Sequence, residues 1–246
     1  MLTSFLSLYI AAQLNSDSQF NQIAISRNQN PQVFTASQNI LTILEDGEGP
    51  IKDPKQISPI IESGGAIAID RKTGKILFEK NPHVRMPMAS ITKLMTALLI
   101  IEENQLDEIV TVSQNAASTP GSNMSLQTGE KITVESLIKG LMINSANDAA
   151  IALAEHNAGS TTAFIKKMNN RAEELALSNT HFSNPTGLDD PGNYSSPFDL
   201  AKLGNYIYNN KIIQEAANTA AGETFSADGK TKHQLETTNQ LINNYP

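Results

Sequence analysis

Met86-Pro-Met-Ala-Ser-Ile-Thr-Lys-Leu-Met-Thr-Ala-Leu-Leu-Ile100, MPMASITKLMTALLI, contains a single charge, Lys93. Its apolar residues recur on every side of a helical projection, so the pattern predicts a central helix over about 89–103. Ser90 and Lys93 stand three residues apart, which places a hydroxyl and an ammonium on one helix face, one turn from each other. A serine hydroxyl becomes a nucleophile once a base takes its proton, and lysine is that base only when neutral. From a free value near 10.4 this needs a shift of about 3 units, or about 4 kcal/mol against the cation. Desolvation among Met88, Leu94 and Met95 acts in that direction, as does the positive end of the helix dipole. A lysine snorkelling to water is the plain structural reading of the same residue.

Working outward, Ala66–Asp70 and Lys75–Glu79 flank Arg71-Lys-Thr-Gly74 and read as a β-hairpin with Gly in the turn. Downstream, Glu130–Asn144 reads as a helix capped by Thr133 with Leu137, Ile138, Leu141 and Met142 on its apolar face. Asp148–His156 and Ser160–Leu177 read as two more helices, and Phe182–Gly192 as a loop by its Pro and Gly content. Ser196-Pro-Phe-Asp199 opens a further helix with Ser as cap and Pro at the first helical position. Thr224–Leu235 resembles a second hairpin turning at Asp228-Gly229. Residues 15–60 lack periodicity and are punctuated by Gly and Pro. The expected organisation is therefore an N-terminal apolar leader or anchor remnant with a polar linker over 1–59, and a catalytic domain over 60–246. The apolar start, MLTSFLSLYIAAQL, is uncharged, and the first basic residue is Arg27. It reads either as part of an export signal or membrane anchor, or as an ordinary apolar strand or helix.

Composition narrows the chemistry. The chain has 246 residues, 39% of them hydrophobic, enough for one sizeable core. A net charge of −7 without a Lys/Arg run gives no footprint for nucleic acid. The absence of cysteine excludes disulfides, thiolate nucleophiles and cysteine-ligated zinc. His83, His156, His181 and His233 follow no metal-ligand spacing and read as surface or supporting residues. No metal or other cofactor is expected. Ser136 and Lys139 repeat the Ser-x-x-Lys spacing, but Gly140 and Glu135 flank them and Lys139 is free to face solvent, so this copy reads as incidental. Asn144-Ser-Ala-Asn-Asp148 lies at a helix-to-helix junction. There Ser145 offers a hydroxyl able to relay a proton, and Asn147 an amide able to bond the lysine and a substrate amide. Both residues, and Asp148, also suit plain helix capping.

Ser90-Ile-Thr-Lys93 followed by Ser145-Ala-Asn147 resembles the penicillin-recognising serine enzymes. The surrounding segments are similar to the D-alanyl-D-alanine carboxypeptidases of the low-molecular-mass penicillin-binding protein group, peptidase family S11. The likeness runs from about residue 63 to 246 through TGKILFEKNP, MASITKLMT, GSNMSLQTGEKITVESLIKGLMINSANDAA, MNNRAEELAL and HFSNPTGLDDPGNYSSPFDLAKL. It implies an α/β chain of the α+β type with the β-lactamase/transpeptidase-like fold, a helical cluster beside an antiparallel sheet. It also implies an acyl-enzyme on Ser90, Lys93 as base, Ser145 as proton donor to the departing D-alanine, and Asn147 as substrate ligand. The implied partners are a peptidoglycan stem peptide ending in D-Ala-D-Ala and acylating β-lactams. The implied place is outside the cytoplasm, in the cell envelope, either secreted or membrane-anchored, the apolar N-terminal segment being the candidate attachment. In that family a Lys-Thr-Gly follows Ser-x-Asn, whereas the Lys72-Thr73-Gly74 here precedes Ser90. The chain is accordingly expected to stop before that strand, with an incomplete sheet. Two alternatives remain at this stage: a non-catalytic fragment that binds stem peptides, and a class A β-lactamase, which position 146 (Ala) and Glu173/Glu174 fit poorly. No Gly-x-Ser-x-Gly supports a Ser-His-Asp hydrolase.

Overall fold

The computed structural model describes residues 49–242 apart from Gln56. The apolar leader and most of the expected linker lie outside these residues, and the described part of 49–59 carries no helix or strand. Strands β1 (Ala66–Ile69), β2 (Ile76–Lys80) and β3 (Met86–Pro87) come first, followed by a single 3-10 turn (Ala89–Thr92) and helix α1 (Lys93–Glu103). Then follow β4 (Ile109–Thr111), α2 (Gln114–Ala117), β5 (Lys131–Thr133), α3 (Val134–Ile143), α4 (Asn147–Ala158) and α5 (Thr161–Glu174). The rest is β6 (Tyr194–Ser195), α6 (Pro197–Ile207), α7 (Lys211–Ala217), β7 (Ala221–Phe225) and β8 (Lys232–Glu236).

Helix α1 is the hub because it has almost no polar face. Lys93 and every residue from Met95 to Ile100 are buried, and the helix packs on α3, α4, α5 and α6. Met95, Ile100, Leu137, Ile138, Leu141, Leu153, Phe164 and Met168 are all less than 2% exposed. Each such side chain contributes about 1.5–3 kcal/mol by leaving water. Side-chain oxygens of Thr133, Ser160 and Ser196 accept N–H groups in the first turns of α3, α5 and α6. Each cap is worth about 1 kcal/mol. The caps at Thr133 and Ser196 are those the sequence pattern predicts.

The expected hairpins form as β1–β2 and β7–β8, and Gly74 and Gly229 take φ of 71° and 72° in their turns. Among the described residues the antiparallel pairing is divided over four two-stranded pairs: β1–β2, β3–β6, β4–β5 and β7–β8. Three local readings are corrected. The expected helix over 89–103 begins as a 3-10 turn, because Met88 provides no side-chain cap and Ala89 adopts φ 47°. The start of the expected 130–144 helix is strand β5, whose β-branched Ile132 and Thr133 suit extended backbone and pair with Val110 and Ile109. Helix α4 begins at Asn147, not at Asp148, and Asp148 is no cap; it lies within the first turn, 1% exposed. His83, His156 and His181 are exposed, but His233 is 3% exposed, a core histidine held by Glu130. No helix among the described residues is long and apolar enough to cross a membrane.

Candidate active site

The 3-10 turn has three residues per turn, so residues i and i+3 eclipse. Ser90 and Lys93 occupy that relation. Lys93 Nζ stands 3.2 Å from Ser90 Oγ and donates to the Thr186 carbonyl at 2.5 Å. Ser90 is exposed, while Lys93 is 3% exposed. Burial without a facing carboxylate pulls the ammonium down from its ordinary 10.5 to about 8. A neutral amine in this position donates N–H to Thr186 and turns its lone pair on the Ser90 hydroxyl.

Loop 183–193 holds this arrangement. Thr96 Oγ1 donates to the Pro185 carbonyl at 2.8 Å, and Asn193 Nδ2 donates to Thr92 Oγ1 at 3.0 Å. Asn184 Oδ1 accepts from Thr186 N, Thr186 Oγ1 and Gly187 N, which turns the Thr186 carbonyl toward α1. Gly187, at φ 82°, lies against the Ala89–Ser90 backbone. The Pro and Gly content of this segment marks it as a loop but does not reveal its contacts with α1. Gly187, following Pro and Thr, was the available signal for a close backbone approach.

Ser145 and Asn147 come from the α3–α4 junction, and α4 packs on α1. Ser145 is half-buried at φ 53°, a left-handed conformation that is costly for a serine and marks a constrained site. Asn147 is 5% exposed; its Nδ2 donates to the Pro120 carbonyl at 2.8 Å and its N–H to the Ser122 carbonyl at 2.7 Å. The anticipated bond from Asn147 to Lys93 does not form: Lys93 Nζ is directed at Ser90 Oγ and the Thr186 carbonyl, and Asn147 Nδ2 at the Pro120 carbonyl. Asn147 lies near the loop that flanks Ser90. A Cβ on Gly121 would stand 2.6 Å from Asn147 Nδ2 and 3.8 Å from Leu188 Cδ2, and Leu188 adjoins the Gly187 that touches Ser90. Asp148, beneath them, accepts the backbone N–H groups of Met124 at 3.1 Å and Leu126 at 3.0 Å. The second Ser-x-x-Lys lies elsewhere: Lys139 pairs with Glu135 at 2.7 Å, both half-exposed. Among the described residues no group of three or more His, Asp or Glu could hold a metal.

A helical cluster around an apolar α1, flanked by antiparallel pairs and carrying Ser-x-x-Lys at its start, defines the class of penicillin-binding, transpeptidase-fold proteins. Residues 52–246 match the model of peptidase S11, D-alanyl-D-alanine carboxypeptidase, and the chain belongs to that family. It is similar to D-alanyl-D-alanine carboxypeptidase DacF of Bacillus subtilis, 40% identical over 201 residues, covering 79% of this chain and 51% of the relative. It is also 40% identical over 160 residues to DacD of Escherichia coli, covering 61% of this chain and 41% of that one. Its fold is similar to the crystal structure of DacD from Francisella tularensis (TM-score 0.68, 34% identity, 78% of this chain and 46% of that chain). The S216A mutant of the Streptomyces K15 DD-transpeptidase is comparable (TM-score 0.70, 32% identity, 76% and 78%). The chain thus spans about half the length of the first two curated relatives.

Proposed function

We propose that this protein is a serine-type D-Ala-D-Ala carboxypeptidase acting on peptidoglycan stem peptides outside the cytoplasm, with Ser90 as nucleophile. The observation that carries the reading is Lys93, desolvated to about 8 and directed at the Ser90 hydroxyl. Neutral Lys93 takes the hydroxyl proton as Ser90 Oγ bonds to the carbonyl carbon of the penultimate D-alanine. The negative charge that develops on the carbonyl oxygen is met by the Ser90 backbone N–H. Collapse breaks the C–N bond, and Ser145 relays a proton to the departing D-alanine amine while Asn147 holds the peptide. Water then attacks the ester, its proton returns through Lys93, and Ser90 is regenerated. A β-lactam amide enters the same step and leaves Ser90 acylated. The N-terminal apolar segment is the proposed membrane attachment.

A fragment that merely bound stem peptides would have no use for a lysine whose burial costs about 3 kcal/mol. The test is release of D-alanine from a peptide ending in D-Ala-D-Ala. Release by the full chain that disappears in Ser90→Ala is expected; release undiminished by Ser90→Ala overturns the assignment.

A further inference from the structure

Buried His233 has no part in the chemistry above, yet it is linked to the asparagine of the site through Met124 and the 120–123 segment before it. Its Nδ1 lies 2.8 Å from the Met124 carbonyl, which can only accept, so Nδ1 donates. Its Nε2 lies 2.6 Å from Glu130 Oε1, and Glu130 Oε2 is fixed in turn by the N–H of Gln127 at 3.0 Å. The other side of Met124 belongs to α4, where Asp148 Oδ1 accepts the Met124 N–H at 3.1 Å. The methionine side chain fills the space beside Gly140 on α3, where a Cβ would stand 2.3 Å from the sulfur. One buried residue is therefore gripped by β8, α4 and α3 together.

The chain just before Met124 is the cradle of Asn147. Pro120 and Ser122 offer their carbonyls to its side chain and backbone. Asn123 Oδ1 accepts the Asp148 N–H at 3.3 Å, its carbonyl accepts Asn144 Nδ2 at 2.7 Å, and Ser122 Oγ donates to the Asn144 carbonyl at 2.6 Å. A shift of Met124 is carried along one to four residues of backbone into these contacts. The β7–β8 hairpin has independent anchors in Thr224 Oγ1 to Ser136 Oγ and Ala227 N to the Lys131 carbonyl, so it does not depend on His233 to stay docked.

From this geometry we propose that His233 is a positioning residue for Asn147, acting through Met124, so that the β7–β8 hairpin sets the asparagine end of the cleft. The effect on turnover rests on the carboxypeptidase reading; the effect on Asn147 itself does not.

Hydrogen–deuterium exchange on the full chain tests it. His233→Leu removes both ring contacts at similar volume and should speed exchange of 119–127 and 144–148 about tenfold, with α5 and α6 unchanged. Glu130→Gln retains the Nδ1 bond to Met124 and should leave 144–148 as in the parent. Should His233→Leu loosen the whole chain, His233→Gln decides by the same segment. Exchange raised in β7–β8 alone, with 144–148 unmoved, overturns the proposal. A parallel rate of Ser90 acylation by fluorescent penicillin should fall about tenfold in His233→Gln, and should not fall further when Asn147→Ala is already present. An equal fall in both backgrounds also overturns the route through Asn147. Absence of label on the parent chain would count against the carboxypeptidase reading, and the exchange result would still decide the role of His233.

Discussion

Gly187 lies so close to Ala89 that a Cβ on it would stand 2.0 Å from the Ala89 carbonyl oxygen, and 2.9 Å from Ser90 N. Both residues have positive φ, 82° and 47°, so two irregular backbones interlock beside Ser90. Neither contact can relax by moving a side chain, since the obstacle is main chain. Gly187→Ala should destabilise the protein by about 2–4 kcal/mol and lower Ser90 acylation at least about a hundredfold, because it lifts the Thr186 carbonyl from Lys93. Urea denaturation and penicillin labelling measure the two effects.

Lys93 supports a prediction of opposite sign for stability. Its folded value of about 8 lies below the ordinary 10.5, so between these the unfolded chain binds more protons and stability rises with pH. Below about pH 8 the full cost of the buried ammonium, about 3 kcal/mol, is present. Lys93→Met removes it while losing the bond to Thr186, worth about 1 kcal/mol. Denaturation near pH 7 should show a net gain of about 1–2 kcal/mol that shrinks toward pH 10, together with loss of acylation.

Thr96→Val keeps shape but deprives the buried Pro185 carbonyl of its 2.8 Å donor. The expected cost is about 1–3 kcal/mol. Acylation should fall about tenfold, as loop 183–187 loses one of its two bonds to α1. Unchanged acylation with lowered stability would show that the loop needs only the Lys93 contact.

The incidental pair supplies a control. Lys139 is 47% exposed in its side chain and bonded to Glu135 one turn away. Lys139→Ala should change stability by no more than about 0.5 kcal/mol and leave acylation as it is.

How far the sequence carried these conclusions depends on the range of each contact. The Ser90–Lys93 spacing, the caps at Thr133 and Ser196, and the turns at Gly74 and Gly229 are local, and each is legible in the sequence. Strand β5 is hidden in the sequence because Lys131–Thr133 adjoins a strong helical pattern, and its partner β4 is separated by a loop and a short helix. Thr186 meets Lys93 across 93 residues, and His233 meets Met124 across 109. No periodicity announces such pairings. Asp148 looked like a cap because acidic residues at helix starts usually cap, whereas here the carboxylate faces inward to two orphan N–H groups of another segment. The expected bond from Asn147 to Lys93 gives way to two long-range partners of the same kind, the Pro120 carbonyl for Asn147 and the Thr186 carbonyl for Lys93.

The central claim is that neutral Lys93 activates Ser90, and the most direct measurement is the second-order rate of Ser90 acylation by a fluorescent penicillin as a function of pH. The account predicts a rate that climbs about tenfold per pH unit below a midpoint of about 8, levels above it, and is abolished in Ser90→Ala. A rate flat across that range, or labelling undiminished in Lys93→Met, would contradict it.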